Sequence, residues 1–334
     1  MIVTDFKWVS KAGEERKGYY MDGYEVENYL GIKRYLKKAW DVVGIISGHG
    51  KVRIGKSTKA SQIGYLIAWL LAGGKIEIEN RKVIRCVPPK KEVHFNLQEN
   101  VVFSPRDLVS AAEKLYTKYG SNQIIIYDEA RGGLASDRAM ESINKTMSEW
   151  FEQCGQYGHI ILLVLPNFFK LHEDYAVARS LFLVDVYADK NHNRGYFNFY
   201  NEFQKEKLYY FGKKRIGVTA KYSAAYENFW GRFNNFMPWD TAEYHRLKKE
   251  ALSKLKETAY QKKVIRQRNA ALYLLKRYSG LTHEAIAQEL SIILGFPFSI
   301  DMIEGAIGTF NPKNTELLYK NTELLPKSSR EVIS

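Results

Sequence analysis

The residues Gly50-Lys51-Val52-Arg53-Ile54-Gly55-Lys56-Ser57 fit the pattern G-x-x-x-x-G-K-[ST] without a mismatch, and Thr58 follows. Such a loop lets backbone N–H groups close around an anion while a lysine adds charge and a hydroxyl reaches a cation. The chemistry this spacing can do is to cradle a chain of phosphates along Gly50 to Thr58. Lys56 would reach the β- and γ-phosphates, and Ser57 would ligate Mg²⁺. A second pair, Asp128-Glu129, ends the run Ile124-Ile125-Ile126-Tyr127. Asp128 is placed to hold Mg²⁺ through water, and Glu129 to polarise a water for attack on the γ-phosphate. Asn167, after Pro166, has two readings of equal weight: a partner for the γ-phosphate or attacking water, or an ordinary turn residue.

These side chains need elements to hold them. Residues 41–47 read as a buried strand before the loop. Residues 57–71 read as a helix after it, with Ile63, Leu66, Ile67 and Leu70 on its apolar face. The helix N-terminus would aim N–H groups and the positive end of its dipole at the anion. Residues 124–128 and 159–165 are further apolar strands, and ligands of parallel sheets bind at the carboxyl ends of such strands. Strands are also expected at about 75–87, at 93–97 and at 101–103. Helices are expected at 105–119, where Ser104 and Pro105 make a good start, and at 139–154. The alternation predicts an α/β fold with a mostly parallel sheet, carrying an extra strand between the loop strand and the Asp-Glu strand.

On either side of this region the pattern changes. Residues 1–40 are polar and tyrosine-rich, with a helix expected from Val26 to Trp40 that sets Tyr29, Ile32, Leu36 and Trp40 on one side. Residues 181–186 read as a strand, and 195–200 with 207–211 as an antiparallel hairpin. Its aromatics suit a half-buried core better than base stacking. From Tyr244 to Arg277 the chain carries eleven Lys and Arg against Glu250 and Glu257, with no Pro or Gly, so one or two long basic helices are expected. Thr282 and Ser299 then cap two short helices, which read either as a helix-turn-helix relative or as a small bundle for protein contacts. The domain division expected is 1–40, 41–240 and 241–334.

The formal charge of +13 points to a polyanionic partner, nucleic acid before membrane. Cys86 and Cys154 form no C-x-x-C or metal-ligand spacing and suit a reducing compartment. The longest apolar stretch, about residues 63–73, is too short to span a bilayer, and the first residues do not read as a signal peptide. A soluble, cytoplasmic protein without membrane insertion is expected.

The phosphate loop, the strand ending Tyr127-Asp128-Glu129-Ala130 and the strand ending Leu165-Pro166-Asn167 together resemble the FtsK/HerA branch of DNA-pumping ATPases. The Zot-like members of phages and mobile elements are the closer comparison, over about residues 41–190. The resemblance implies a homo-oligomeric ring, hexameric in such proteins, that hydrolyses ATP with Mg²⁺ and moves double-stranded DNA. Lys56 and Ser57 then match the Walker A pair, and Asp128 and Glu129 the Walker B pair. Asn167 falls where many relatives carry Gln. Members of the branch place an arginine in a neighbour's site, a role for which Arg179 is the first candidate and Arg138 the second. A replication initiator or helicase loader of AAA+ type fits the same motifs, as does a nucleotide-gated regulator that binds DNA or protein.

Overall fold

Residues 42–47, 124–128 and 160–164 carry almost uninterrupted Val, Ile and Leu, and every residue in them is buried. Strands without polar alternation have no face to give to water, so they belong in the middle of a sheet covered on both sides. The computed structural model has them there. It describes residues 7–9, 15–18, 20–36, 42–48, 53–80, 82–128, 145, 148, 150, 157–213, 222–295 and 297–308. Lys51, Val52, Gly50, Glu129 and Arg138 of the expected site lie outside the described residues, as does most of the expected helix 139–154.

In chain order the elements begin with β1 (Lys7–Val9), β2 (Glu15–Lys17), α1 (Gly23–Leu36), β3 (Val42–Ser47) and α2 (Lys56–Leu71). Next come β4 (Lys75–Glu79), β5 (Lys82–Val87), α3 (Leu97–Asn100), β6 (Val101–Val102), α4 (Pro105–Tyr119) and β7 (Ile124–Asp128). β8 (Ile160–Val164), β9 (Ser180–Tyr187), β10 (Tyr196–Asn201), α5 (Glu202–Lys213) and β11 (Phe229–Arg232) follow. The last described elements are α6 (Thr241–Ser279), α7 (His283–Leu294) and α8 (Ile300–Gly308).

The seven-stranded sheet has the order β11-β10-β9-β3-β8-β7-β6. Its five strands from β9 to β6 run parallel, while β10 and β11 extend the β9 edge antiparallel. On one face Ile45, Ile125, Leu163 and Leu183 pack with Leu108 and Leu115 of α4 and Leu208 of α5. The other face takes α2, where Gly64 lies close enough to β7 that a Cβ would stand 3.4 Å from Ile126. Helices therefore cover both sides, and the α/β architecture is compatible with Rossmann-like and P-loop folds. β8 lies between β3 and β7 in the sheet. In sequence, β4, β5 and β6 come between them, and of these β6 joins the main sheet, outside β7.

Three expected elements differ. The stretch 75–87 is a hairpin in its own two-stranded sheet, turned where Asn80 adopts φ 49°, a conformation Asn tolerates better than most residues. Residues 93–97 form no strand. Asn96 instead caps α3, accepting from Glu99 N at 2.9 Å while donating to the Glu99 carboxylate at 2.8 Å. Residues 207–211 are helical rather than the second arm of a hairpin. Asn201 accepts from Gln204 N at 3.0 Å, and Lys205, Leu208, Tyr209 and Gly212 give α5 a buried face at helical spacing. β10 pairs with β9 and β11 instead, and its Phe197, Phe199 and Tyr200 are core residues.

Two buried lysines fasten helices to this core. Lys59 of α2 meets Glu25 of α1 at 2.6 Å with both side chains fully buried, and Tyr29 donates to the other Glu25 oxygen at 2.9 Å. Burial pushes the Glu25 carboxyl up and the Lys59 ammonium down, each opposed by its partner. Lys205 of α5 has no carboxylate in contact among the described residues. It donates to the carbonyl oxygens of Val177 and Ser180 and to Ser180 Oγ at 2.6 Å. Burial pulls its ammonium from the ordinary 10.5 down to about 7, against the opposing charges of Glu202 and Glu206. Between those two values the unfolded chain binds the extra proton, so this group makes stability rise with pH across that window. Below about 7 both states are charged and the penalty is complete. Lys205→Met should flatten the rise of Tm between pH 7 and 10 relative to the parent, and an identical slope in both proteins would show that Lys205 stays charged in the fold.

The chain divides into two compact units, Met1–Ser253 and Lys254–Ser334, at a point within α6. In the second unit Leu272, Ile286, Phe298 and Ile303 form a small core. Thr282 accepts from Ala285 N at 3.2 Å to cap α7, and Ser299 accepts from Met302 N at 3.3 Å to cap α8.

Candidate functional site

The parallel strands deliver their carboxyl ends to one edge of the sheet, where ligands of open α/β sheets bind. β3 ends there at Ser47 and leads to Gly48. A Cβ on Gly48 would stand 2.3 Å from Ile54 Cδ1 and 2.6 Å from the Val186 carbonyl oxygen, so the backbone passes too close for any side chain. Arg53 and Gly55 both take positive φ, 59° and 100°, which curls the segment into the start of α2. Gly55 is the N-cap and has no side chain to satisfy the N–H groups of Lys56, Ser57 and Thr58. The α2 N-terminus therefore opens toward the same edge, as the expected anion cradle requires.

Asp128 closes β7 beside Val164 of β8, with its side chain only 3% exposed. Two groups from the first turns of α6 converge on it. Lys248 Nζ lies 2.9 Å from both carboxylate oxygens, and the Tyr244 hydroxyl donates to Oδ2. Lys248 Nζ is also 3.1 Å from the Tyr244 oxygen. Ser57, in the first turn of α2, is a neighbour of the same hydroxyl. The Tyr244 phenol is driven far above its ordinary range by burial first, then by the charge of Asp128 and its hydrogen bond, with Ser57 acting the other way.

Ser57 and Asp128 thus both neighbour the Tyr244 hydroxyl, and the carboxylate already holds a cation. This donor set fits Mg²⁺ arriving with a nucleotide, since Mg²⁺ is commonly held by one or two carboxylates plus phosphate oxygens and water. Among the described residues no group of three or more His, Cys, Asp and Glu is placed to hold a metal by itself.

A second polar cluster flanks the first. Asp185 of β9 pairs with Ser47 in register and is fully buried. Burial pushes its carboxyl well up, opposed by the positive charge of Lys56. Ser47 Oγ and the Tyr222 hydroxyl are 3.0 Å apart, and that hydroxyl accepts from Phe168 N at 3.0 Å. Asn167, beyond the end of β8, lies at this edge, and its Oδ1 accepts from Phe169 N at 3.0 Å to cap a short turn. Its carbonyl oxygen is therefore engaged, which leaves the amide nitrogen as the part able to meet a ligand.

Arg179 is placed elsewhere. It is exposed and precedes Ser180, which pairs with Val43 at the start of β3. Because β9 and β3 are parallel, Arg179 lies at the amino edge of the sheet, roughly 15 Å of strand away from its own Lys56. A role for it in catalysis would have to be in another copy of the chain.

Sequence reasoning missed Asp185, Tyr222, Tyr244 and Lys248. Asp185 had a signal, a lone carboxylate inside the apolar run Leu181-Phe182-Leu183-Val184-Asp185-Val186. Tyr244 and Lys248 were read only as part of the basic helix.

Neither a scan against models of protein families nor a search of curated proteins finds a match to this chain. No helix among the described residues is long and apolar enough to cross a membrane.

Proposed function

We propose that the chain is a Mg²⁺-dependent P-loop ATPase that acts on double-stranded DNA, as a translocase working in a ring. The observation that carries this reading is the buried Asp128 carboxylate at the carboxyl edge of a parallel sheet, with Ser57 in the first turn of a helix whose N-terminus has no side-chain cap. Lys56 neutralises the β- and γ-phosphates, Ser57 and Asp128 hold the ion, and Glu129 orients the attacking water. Bound Mg²⁺ would draw negative charge away from the phosphates during transfer. The net charge of +13 favours a polyanionic track. The ring and the arginine contributed by a neighbour, Arg179 or Arg138, rest on the FtsK/HerA resemblance.

The test has two arms. ATP turnover should rise strongly with long duplex DNA. Replacing Lys249, Lys254, Arg268 and Arg277 with Gln should then reduce the log–log salt slope of duplex binding by roughly 3 to 4, since each phosphate contact contributes about 0.9. An unchanged slope removes DNA contact from this helix. Turnover indifferent to DNA turns the reading to a nucleotide-gated regulator, which the contact of α6 with Asp128 also favours.

A further inference from the structure

Lys248 and Tyr244 contact the Asp128 carboxylate that would hold the ion of the candidate site. The Lys248 ammonium is equidistant from both oxygens of Asp128, and the Tyr244 hydroxyl donates to one of them, Oδ2. They are four residues apart on one helix face, so a single element supplies both. Resting on the nucleotide reading above, we propose that the first turns of α6 are a latch on this site, which Mg·nucleotide releases by taking Ser57 and Asp128 for itself.

The competition follows from charge and space. Mg²⁺ needs its oxygen ligands at about 2.0–2.1 Å. A buried carboxylate with an ammonium across both oxygens cannot give a divalent ion that approach, because the two cations repel at short range where water screens little. The Tyr244 hydroxyl also occupies one of those two oxygens, Oδ2. Among the described residues this end of α6 has further attachments, and Tyr244 is itself buried. Tyr244 packs on Phe103 with ring centroids 5.7 Å apart, and Glu243 accepts from Gln98 at 2.7 Å on the surface. Release of the latch therefore frees the end of a helix that runs on through Ser279 and carries the basic run.

The latched form cannot bind Mg·nucleotide, so its population weakens the apparent affinity in proportion. Removing the latch must tighten binding. A lysine that instead touches phosphate must weaken it on removal. The experiment measures affinity for Mg·ADP and for a non-hydrolysable Mg·ATP analogue by calorimetry, in the full chain and in Lys248→Gln and Tyr244→Phe. Tyr244→Phe keeps the ring on Phe103 and loses only the hydroxyl. We expect roughly ten-fold tighter binding or more in each variant, the size of a lost hydrogen bond to a charged group. Hydrogen exchange on the unaltered protein supplies a second readout. Amides of residues 244–250 should lose protection on adding Mg·nucleotide, but not on adding nucleotide with a chelator. Equal or weaker binding in both variants, or protection at 244–250 that does not change, overturns the latch while leaving the nucleotide site standing. Failure of the parent and both variants to bind nucleotide overturns the nucleotide reading and the latch with it.

Discussion

Lys56→Ala should lower ATP turnover to the background of the assay and weaken nucleotide binding, whereas Glu129→Gln should keep nucleotide bound and lose turnover alone. The lysine opens α2 at the carboxyl edge of the sheet, next to a helix N-terminus that offers N–H groups to an anion. Removing its charge leaves the β- and γ-phosphates without their nearest neutralising group in both the ground state and the transition state. A loss of roughly a hundred-fold or more, about 2.7 kcal/mol of barrier, is expected in turnover. Glu129 follows Asp128 in sequence, and in the proposed mechanism it would act only on the water, so its loss should fall on the chemical step. Radiolabelled ATP hydrolysis and equilibrium nucleotide binding, measured on both variants, separate the two. Near-normal turnover in Lys56→Ala would falsify the phosphate-loop reading. Loss of binding in both variants would show that the division of roles between positions 56 and 129 is wrong.

Glu25→Ala unfolds the protein at markedly lower temperature. The substitution strands the Lys59 ammonium in a site with no exposure, its charge facing the Phe197 ring at 3.9 Å and Phe233 beyond, with Asp22 the remaining acidic group that acts on it among the described residues. Breaking one half of a buried pair costs about 3–5 kcal/mol, because the remaining charge is neither hydrated nor matched. For a domain of this size that corresponds to a fall in Tm of about 10 °C. The double variant Glu25→Met with Lys59→Met removes both charges and should recover most of the loss, since well-packed apolar replacements of a buried pair are often neutral or better. Thermal unfolding of the three proteins decides it. A single variant as stable as the parent would mean that Lys59 sheds its proton in the fold without strain. The effect reaches the candidate site, because Lys59 lies one helical turn beyond Gly55, whose carbonyl oxygen accepts from Lys59 N at 2.9 Å.

The framework of the first unit was legible because its strands are buried on both faces. Ile124-Ile125-Ile126-Tyr127 and Ile160-Ile161-Leu162-Leu163-Val164 have no polar alternation, and that pattern implies burial without knowledge of any partner. Caps were equally local, as Thr282 and Ser299 show. The segment Leu208-Tyr209-Tyr210-Phe211 misled because β-propensity records how well a side chain suits a half-buried surface, and a helix against β9 and β10 provides such a surface too. The cap at Asn201, outside the aromatic run, decided the matter. At the site, each motif announced its own residues through spacing. The groups that complete the cluster could not be found that way. Tyr244 and Lys248 reach Asp128 across more than a hundred residues of chain, and nothing in their local sequence distinguishes them from other positions on a basic helix.

The position of β3 has a consequence for how the chain is made. Its two neighbours are β8 and β9, so the strand that leads into the candidate phosphate loop pairs only with segments beginning at Ile160 and Ser180. While the ribosome travels from Ser47 to those residues, β3 and the apolar body of α2 have no sheet to join. At about 5–20 residues per second that interval is on the order of ten seconds. During it Val42-Val43-Gly44-Ile45-Ile46 is a short, uncharged, β-prone segment, the kind that pairs readily with other chains. The strand that leads into the candidate loop is thus made well before the strands that secure it, and nascent chains of this protein should be natural clients of chaperones until β9 has left the tunnel.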